Sequence, residues 1–264
     1  MGETGADRIA ALLGADRPAL LPYLTAGIPD AASSPDVFAA MEAADGFEVG
    51  IPYADPLMDG HVIAEAGRTA IERGMTVNGA IDIVAAVAER TGKPVIAMTY
   101  TNPILAFGVD AFLSRIEAAG AAGLIVADLP VEEADPFLEA AAEHGLGMAL
   151  FVAPTTTPER LSGIAARRPT FLYGVASLGV TGVRDRLADT AATLSQRVRE
   201  ATDLPLVLGV GISTPAQAAE AAGLADGIIV GSAIVKTVMA AGSGAQAAAA
   251  VGAQVADLRE AMDD

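Results

Sequence analysis

Eight short apolar runs recur along the chain in strict alternation with helical segments, and this alternation limits the fold more than any other feature. The runs occupy residues 20–25, 47–51, 94–99, 123–127, 147–153, 171–176, 205–209 and 227–230. Segments with helical spacing lie between them, such as 109–119, 132–143 and 215–222. Turn signals announce several runs: Gly92-Lys93-Pro94, Ala121-Ala122-Gly123 and Asp203-Leu204-Pro205. Near-continuous apolar strands joined by helices imply a parallel sheet covered on both faces. Eight such units favour a closed α/β barrel, the single-domain (β/α)8 TIM barrel, over an open doubly wound sheet. No linker or break in composition divides the chain, so one domain spanning 1–264 is expected.

Aromatic residues are 4% of the chain and tryptophan is absent, so alanine and branched aliphatics must fill the core. A formal net charge of −17, with Lys93 and Lys236 as the only lysines, argues against nucleic acid and anionic membrane as partners. Without cysteine there is no disulfide, thiolate zinc site or cysteine nucleophile. The first residues carry Glu3 and Asp7 and no apolar signal region, which leads to a cytoplasmic expectation. The C-terminal stretch 237–256 is uncharged but interrupted by Ser243, Gln246 and Gln254, and reads as a soluble helix, not a bilayer span.

Barrel chemistry sits at the C-terminal ends of the strands. Three glycine-rich segments follow the late strands: Gly179-Val180-Thr181-Gly182, Gly209-Val210-Gly211-Ile212-Ser213 and Gly231-Ser232-Ala233. Each precedes a helix, whose first amides carry partial positive charge, and glycine lets an anion approach the backbone. Any one is equally a cap or a tight turn. Together, in this order, they point to a phosphorylated small-molecule substrate.

Glu48 interrupts an otherwise apolar strand. A buried carboxylate is costly unless paired or protonated, and desolvation raises its pKa toward that of an acid–base catalyst. The alternative is a glutamate bonded to backbone or to a neighbouring hydroxyl. Asp59, in the following loop, is taken alone a turn residue, as Asp55 before Pro56 is; beside Glu48 at the barrel mouth it becomes a catalytic candidate. A Schiff-base lysine is not available at the top, because Lys93 precedes the third strand and Lys236 lies in the last helical region. His61 and His144 are the only histidines, His144 reads as a helix C-cap, and no metal site is expected.

The segment Glu48-Val-Gly-Ile-Pro-Tyr-Ala-Asp-Pro-Leu-Met-Asp-Gly60 resembles the signature of tryptophan synthase alpha subunits. The resemblance continues through Tyr100-Thr-Asn-Pro, Val126-Ala-Asp-Leu-Pro, Gly179-Val-Thr-Gly182, Gly209-Val-Gly-Ile-Ser213 and Gly231-Ser-Ala-Ile-Val235. It implies retro-aldol cleavage of indole 3-glycerol phosphate, with Glu48 as acid–base, Asp59 accepting the indole N–H and Tyr173 near the reacting centre. It also implies phosphate binding by Thr181, Gly182, Gly211, Gly231 and Ser232, and an indole pocket walled by Tyr23, Tyr100 and Leu129. The implied partner is a beta subunit in an alpha2beta2 heterotetramer, docked on a surface that includes Asp55, Asn102 and Pro103. Pyridoxal phosphate is expected only in that partner, and no cofactor in this chain. His61, Ala64, Ile28 and Ala176-Ser177-Leu178 depart from the family's usual residues, which touches the interface and loop closure more than the chemistry. Indole glycerol phosphate synthase and phosphoribosyl isomerase barrels are disfavoured, since their usual catalytic lysine or cysteine has no counterpart here. A partner-independent lyase and a catalytically weakened binding subunit are the remaining alternatives.

Overall fold

Each apolar run forms a parallel strand because both of its faces find apolar cover, one inside the barrel and one beneath a helix. The computed structural model describes residues 2–175, 185–209 and 211–264, without the side chains of 185–189. The strands are β1 (Ala19–Thr25), β2 (Phe47–Gly50), β3 (Val95–Thr99), β4 (Gly123–Val126), β5 (Gly147–Val152), β6 (Phe171–Gly174), β7 (Leu206–Leu208) and β8 (Gly227–Val230). They pair in chain order and close with β8 on β1. The expected TIM barrel is therefore the observed fold. The strand ends differ from the apolar runs by one or two residues: Ile51, for example, leaves β2 yet still donates its amide to Met98 O at 2.8 Å.

Several of the surrounding helices begin where a hydroxyl satisfies an otherwise unpaired amide. Thr76, Thr157 and Thr214 cap the helices Val77–Thr91, Pro158–Ala166 and Pro215–Ala222, the last two with proline at the first helical position. Two segments differ from the sequence expectation. The segment 132–143 divides into a 3-10 turn, Val131–Glu133, and a helix, Asp135–Glu143, because Pro136 suits only a first turn. The stretch read as one helix over 237–256 spans the end of Ser232–Ala240 and most of Gly244–Asp263, which Ser243 caps afresh by accepting the Gln246 amide. Among the described residues no helix is long and apolar enough to cross a membrane.

At the N-terminal face, carboxylates are fixed to the barrel rim. Asp45, before β2, accepts the Leu20 amide of β1 at 2.8 Å and pairs with Arg17 at 2.6 Å and with the buried Arg259 at 3.1 Å. Asp226, before β8, accepts the Leu206 amide of β7 at 2.7 Å and pairs with Arg199 at 2.9 Å. Lys93 donates to the carbonyls of Glu42 and Ala44, each at 2.6 Å, and His144 bonds Glu117 at 2.8 Å. Both lie on the bottom face, as their positions before β3 and β5 predict.

Candidate active site

Glu48 is the second residue of β2, opposite Tyr23 of β1 and Ile96 of β3. Its neighbours Phe47 and Val49 turn outward; Phe47 packs edge-on against Phe38 of the helix Ser34–Ala39, with ring centroids 5.7 Å apart. Strand alternation then sends Glu48 into the barrel. There it lines a cavity of about 190 Å³ at the C-terminal mouth, together with Tyr23, Asp59, Tyr173, Gly211, Gly231 and Ser232. Seven site residues expected from the sequence thus meet around one space. Thr181 and Gly182 lie outside the described residues.

The two carboxylates differ in environment. Glu48 is 2% exposed and its Oε2 has no hydrogen-bond partner among the described residues. Burial, and secondly the charge of Asp59, push its pKa up to about 8. Asp59 is only half-buried, and burial lifts it less, to about 6, against the opposing pull of the Tyr100 hydroxyl. At neutral pH the site therefore holds a protonated Glu48 beside an ionised Asp59, although two coupled carboxyls titrate as a pair. Tyr23 and Tyr173 are pushed well above the ordinary phenol value, first by burial, and remain neutral donors.

Asp59 is aimed by its loop. The Asp59 amide bonds Pro56 O at 3.0 Å, and the Met58 amide donates to the Tyr100 hydroxyl at 3.2 Å. Gly60 then starts the helix His61–Glu72, whose N-terminal dipole favours a nearby anion. Glycine keeps the mouth open where phenols cross it. A Cβ on Gly50 would lie 2.2 Å from the Tyr23 hydroxyl, and one on Gly209 2.2 Å from the Tyr173 hydroxyl.

The opposite rim carries backbone instead of acid. Gly211 takes a left-handed φ of +64°, and Gly231 and Ser232 open the helix Ser232–Ala240 with its amides facing the mouth region. No lysine, arginine or histidine appears among the described lining residues. Ser213 is already engaged, since its amide and its hydroxyl both donate to Gln217 Oε1 at 2.9 Å. Among the described residues no cluster of three or more metal-ligating side chains exists.

Tyr100 and Leu129 do not line the cavity. Tyr100 is turned toward the Asp59 loop, stacked on Tyr53 with centroids 5.1 Å apart, and Leu129 is buried. Of the residues expected at a partner surface, Asp55 and Asn102 are exposed, with Asn102 Nδ2 donating to the Tyr53 hydroxyl at 3.2 Å, whereas Pro103 is buried. Sequence reading missed the apolar lining: Met98, Ile125, Phe151 and Ile229. Strand parity identifies them once Glu48 is known to face inward, because Phe151 pairs with Tyr173 and their rings lie 4.9 Å apart.

The sequence profile of the tryptophan synthase alpha chain family matches residues 9–263. The tryptophan synthase alpha chain of Chloroflexus aurantiacus is 46% identical over 233 residues, covering 87% of this chain and 88% of the relative. That of a Picosynechococcus species is 42% identical, covering 97% and 98%. Among solved structures, tryptophan synthase subunit alpha from Legionella pneumophila superposes with a TM-score of 0.88 at 33% identity, covering 99% of each chain. Mycobacterium tuberculosis tryptophan synthase gives 0.83 at 38% identity, covering 97% of this chain and 96% of its own.

Proposed function

The chain belongs to the tryptophan synthase alpha chain family, and from that premise we propose which of its residues carry the reaction. The reaction is the lyase half-reaction of tryptophan biosynthesis, cleavage of indole 3-glycerol phosphate to indole and glyceraldehyde 3-phosphate, with indole passed to the beta subunit. The observation that carries the assignment is the meeting of two carboxyls in one cavity, a buried Glu48 whose Oε2 has no partner among the described residues and a half-buried Asp59.

Glu48 protonates the ring carbon that bears the glycerol side chain, and the ring nitrogen becomes an electron-poor iminium. Asp59 accepts the N–H and stabilises that charge. Glu48, now a carboxylate, removes the proton of the hydroxyl on the adjoining side-chain carbon. The carbon–carbon bond breaks, its electron pair restores the aromatic ring, and the hydroxyl carbon leaves as the aldehyde. Glu48 ends protonated, ready for another turnover. Tyr173 stands beside the reacting centre as a neutral donor, and Met98, Ile125 and Phe151 with Tyr23 supply apolar cover for the indole.

The phosphate is held by Gly211, Gly231 and Ser232, completed by Thr181 and Gly182. With no cation in the described lining, backbone amides and the helix dipole provide the positive field. A resting proton on Glu48 also lowers repulsion of this anionic substrate.

The beta chain docks where Leu57, Met58 and Leu105 expose apolar surface, at 81%, 63% and 57%, beside Asp55 and Asn102. Pyridoxal phosphate belongs to that partner, and the whole of 1–264 acts as one domain in the cytoplasm. The test is indole release from indole glycerol phosphate with and without the beta chain. Release that the partner accelerates and Leu57→Asp slows only in its presence supports this assignment. No release by the complex contradicts it.

A further inference from the structure

Next to the substrate cavity, and sharing Tyr23, Asp59, Ile63 and Met98 with it, lies a second cavity of about 10 Å³. Its wall includes Tyr23, Thr25, Tyr53 and Asp59 itself. Asp59 therefore borders two spaces, one sized for a substrate and one for a single water. Ile51, Pro52 and Ile63 give the small one much of its apolar lining, so a molecule within it relies on the few polar groups present.

Those groups are incomplete without it. The Tyr23 hydroxyl and Thr25 Oγ1 are 3.2 Å apart, with Tyr23 4% and Thr25 1% exposed. A pair of hydroxyls has two protons and uses one between them, so whichever donates, the other retains a buried O–H seeking an acceptor. Leaving it unmet is costly. A water accepting that proton still has two of its own to donate, and the Asp59 carboxylate is the anion on the same wall.

We propose that Thr25 is a positioning residue, which together with Tyr23 holds one water against Asp59 and through it orients the carboxylate and keeps it ionised. This rests on the reading of Asp59 as acceptor of the indole N–H. One carboxylate face then meets the substrate, while the Tyr100 hydroxyl and the water hold the rest. The titratable groups around Asp59 are Glu48 from β2, Tyr53 from the loop after it, Tyr23 from β1, Tyr100 just beyond β3 and Tyr173 from β6, among the described residues. Of these only Tyr100 favours the ionised form, against burial. A water donating to the carboxylate works in the same direction as Tyr100.

The test compares wild type with Thr25→Val, which keeps the shape and removes the hydroxyl, and with Thr25→Ser, which returns it. A crystal structure at about 1.5 Å or better should show one ordered water within hydrogen-bond reach of Thr25 Oγ1 and the Asp59 carboxylate. In the alpha–beta complex, Thr25→Val should lower kcat about tenfold with KM changed less than about twofold. The Asp59 carboxyl, followed by carbon NMR and assigned by difference from Asp59→Asn, should titrate above its wild-type midpoint in Thr25→Val, and the acid limb of the rate profile should move up with it. Thr25→Ser should restore both. No water at that place, or a Thr25→Val carboxyl that titrates as wild type, overturns the proposal. If Thr25→Val does not fold, Tyr23→Phe removes the other hydroxyl and is read the same way. An Asp59→Asn enzyme with undiminished turnover would remove the role of Asp59 instead, and the NMR titration would still decide the water link.

Discussion

The two ends of the barrel use buried carboxylates in opposite ways. At the N-terminal face Asp45 is surrounded by Arg17, Arg259 and the Leu20 amide, so its charge is neutralised and tied to the rim. At the C-terminal face Glu48 is 2% exposed, within the range of the core, yet its Oε2 meets no donor among the described residues. Paired burial fixes a charge and fastens an element. Unpaired burial transfers the cost into a raised pKa, which leaves a proton available for chemistry. The same contrast holds for the cations. Lys93 and Arg259 are spent on carbonyls and carboxylates at the bottom, while none is found in the described lining of the substrate cavity.

The comparison breaks first on activity. Glu48→Gln should cut indole release by the alpha–beta complex about 10³-fold, while Arg259→Met, at a temperature where it is folded, should stay within about twofold. A comparable loss in both variants would mean that the two faces are not separate in function. Asp59→Asn keeps the side-chain shape but not the charge, and should cost about 10²-fold in kcat with little change in KM. Next comes the reverse asymmetry in stability. Arg259→Met leaves Pro18 O and part of Asp45 without a donor, and urea unfolding should show a loss of about 2 kcal/mol, since Arg17 and the Leu20 amide still hold Asp45. A slope with pH, not a single value, sharpens the contrast most. Between about pH 4.5 and about pH 8 the folded state holds a proton on Glu48 that the unfolded chain has released, so wild-type stability falls as pH rises across that window. Glu48→Gln should lack this fall and gain stability relative to wild type as pH rises toward 8, with the difference closing toward pH 4.5.

Most of the barrel was legible because each strand is an unbroken apolar run bounded by turn residues, a local signal that parallel packing preserves. The two helical misreadings share a cause. Pro136 and Ser243 act through capping geometry, which apolar spacing alone does not display. In the site, Glu48 was visible as a charge where none belongs, and Gly211, Gly231 and Ser232 as glycine-rich starts of helices. Tyr100 was not placed correctly by its position at the end of β3, because its orientation depends on a partner 42 residues away, the Met58 amide. Phe151 and Met98 were hidden for a different reason. An inward aliphatic or aromatic in a strand looks the same in sequence as an outward one until some residue fixes the parity.

The central claim is that Glu48 rests as a neutral acid at physiological pH because it is buried beside Asp59 with no donor at its Oε2 among the described residues. Infrared difference titration of the carboxyl stretch, wild type against Glu48→Gln, observes that proton directly. The account predicts a protonated-carboxyl band that persists through pH 7, disappears with a midpoint near 8 and is missing from the variant. A Glu48 band lost by pH 5, in the range of an ordinary glutamate, would contradict it.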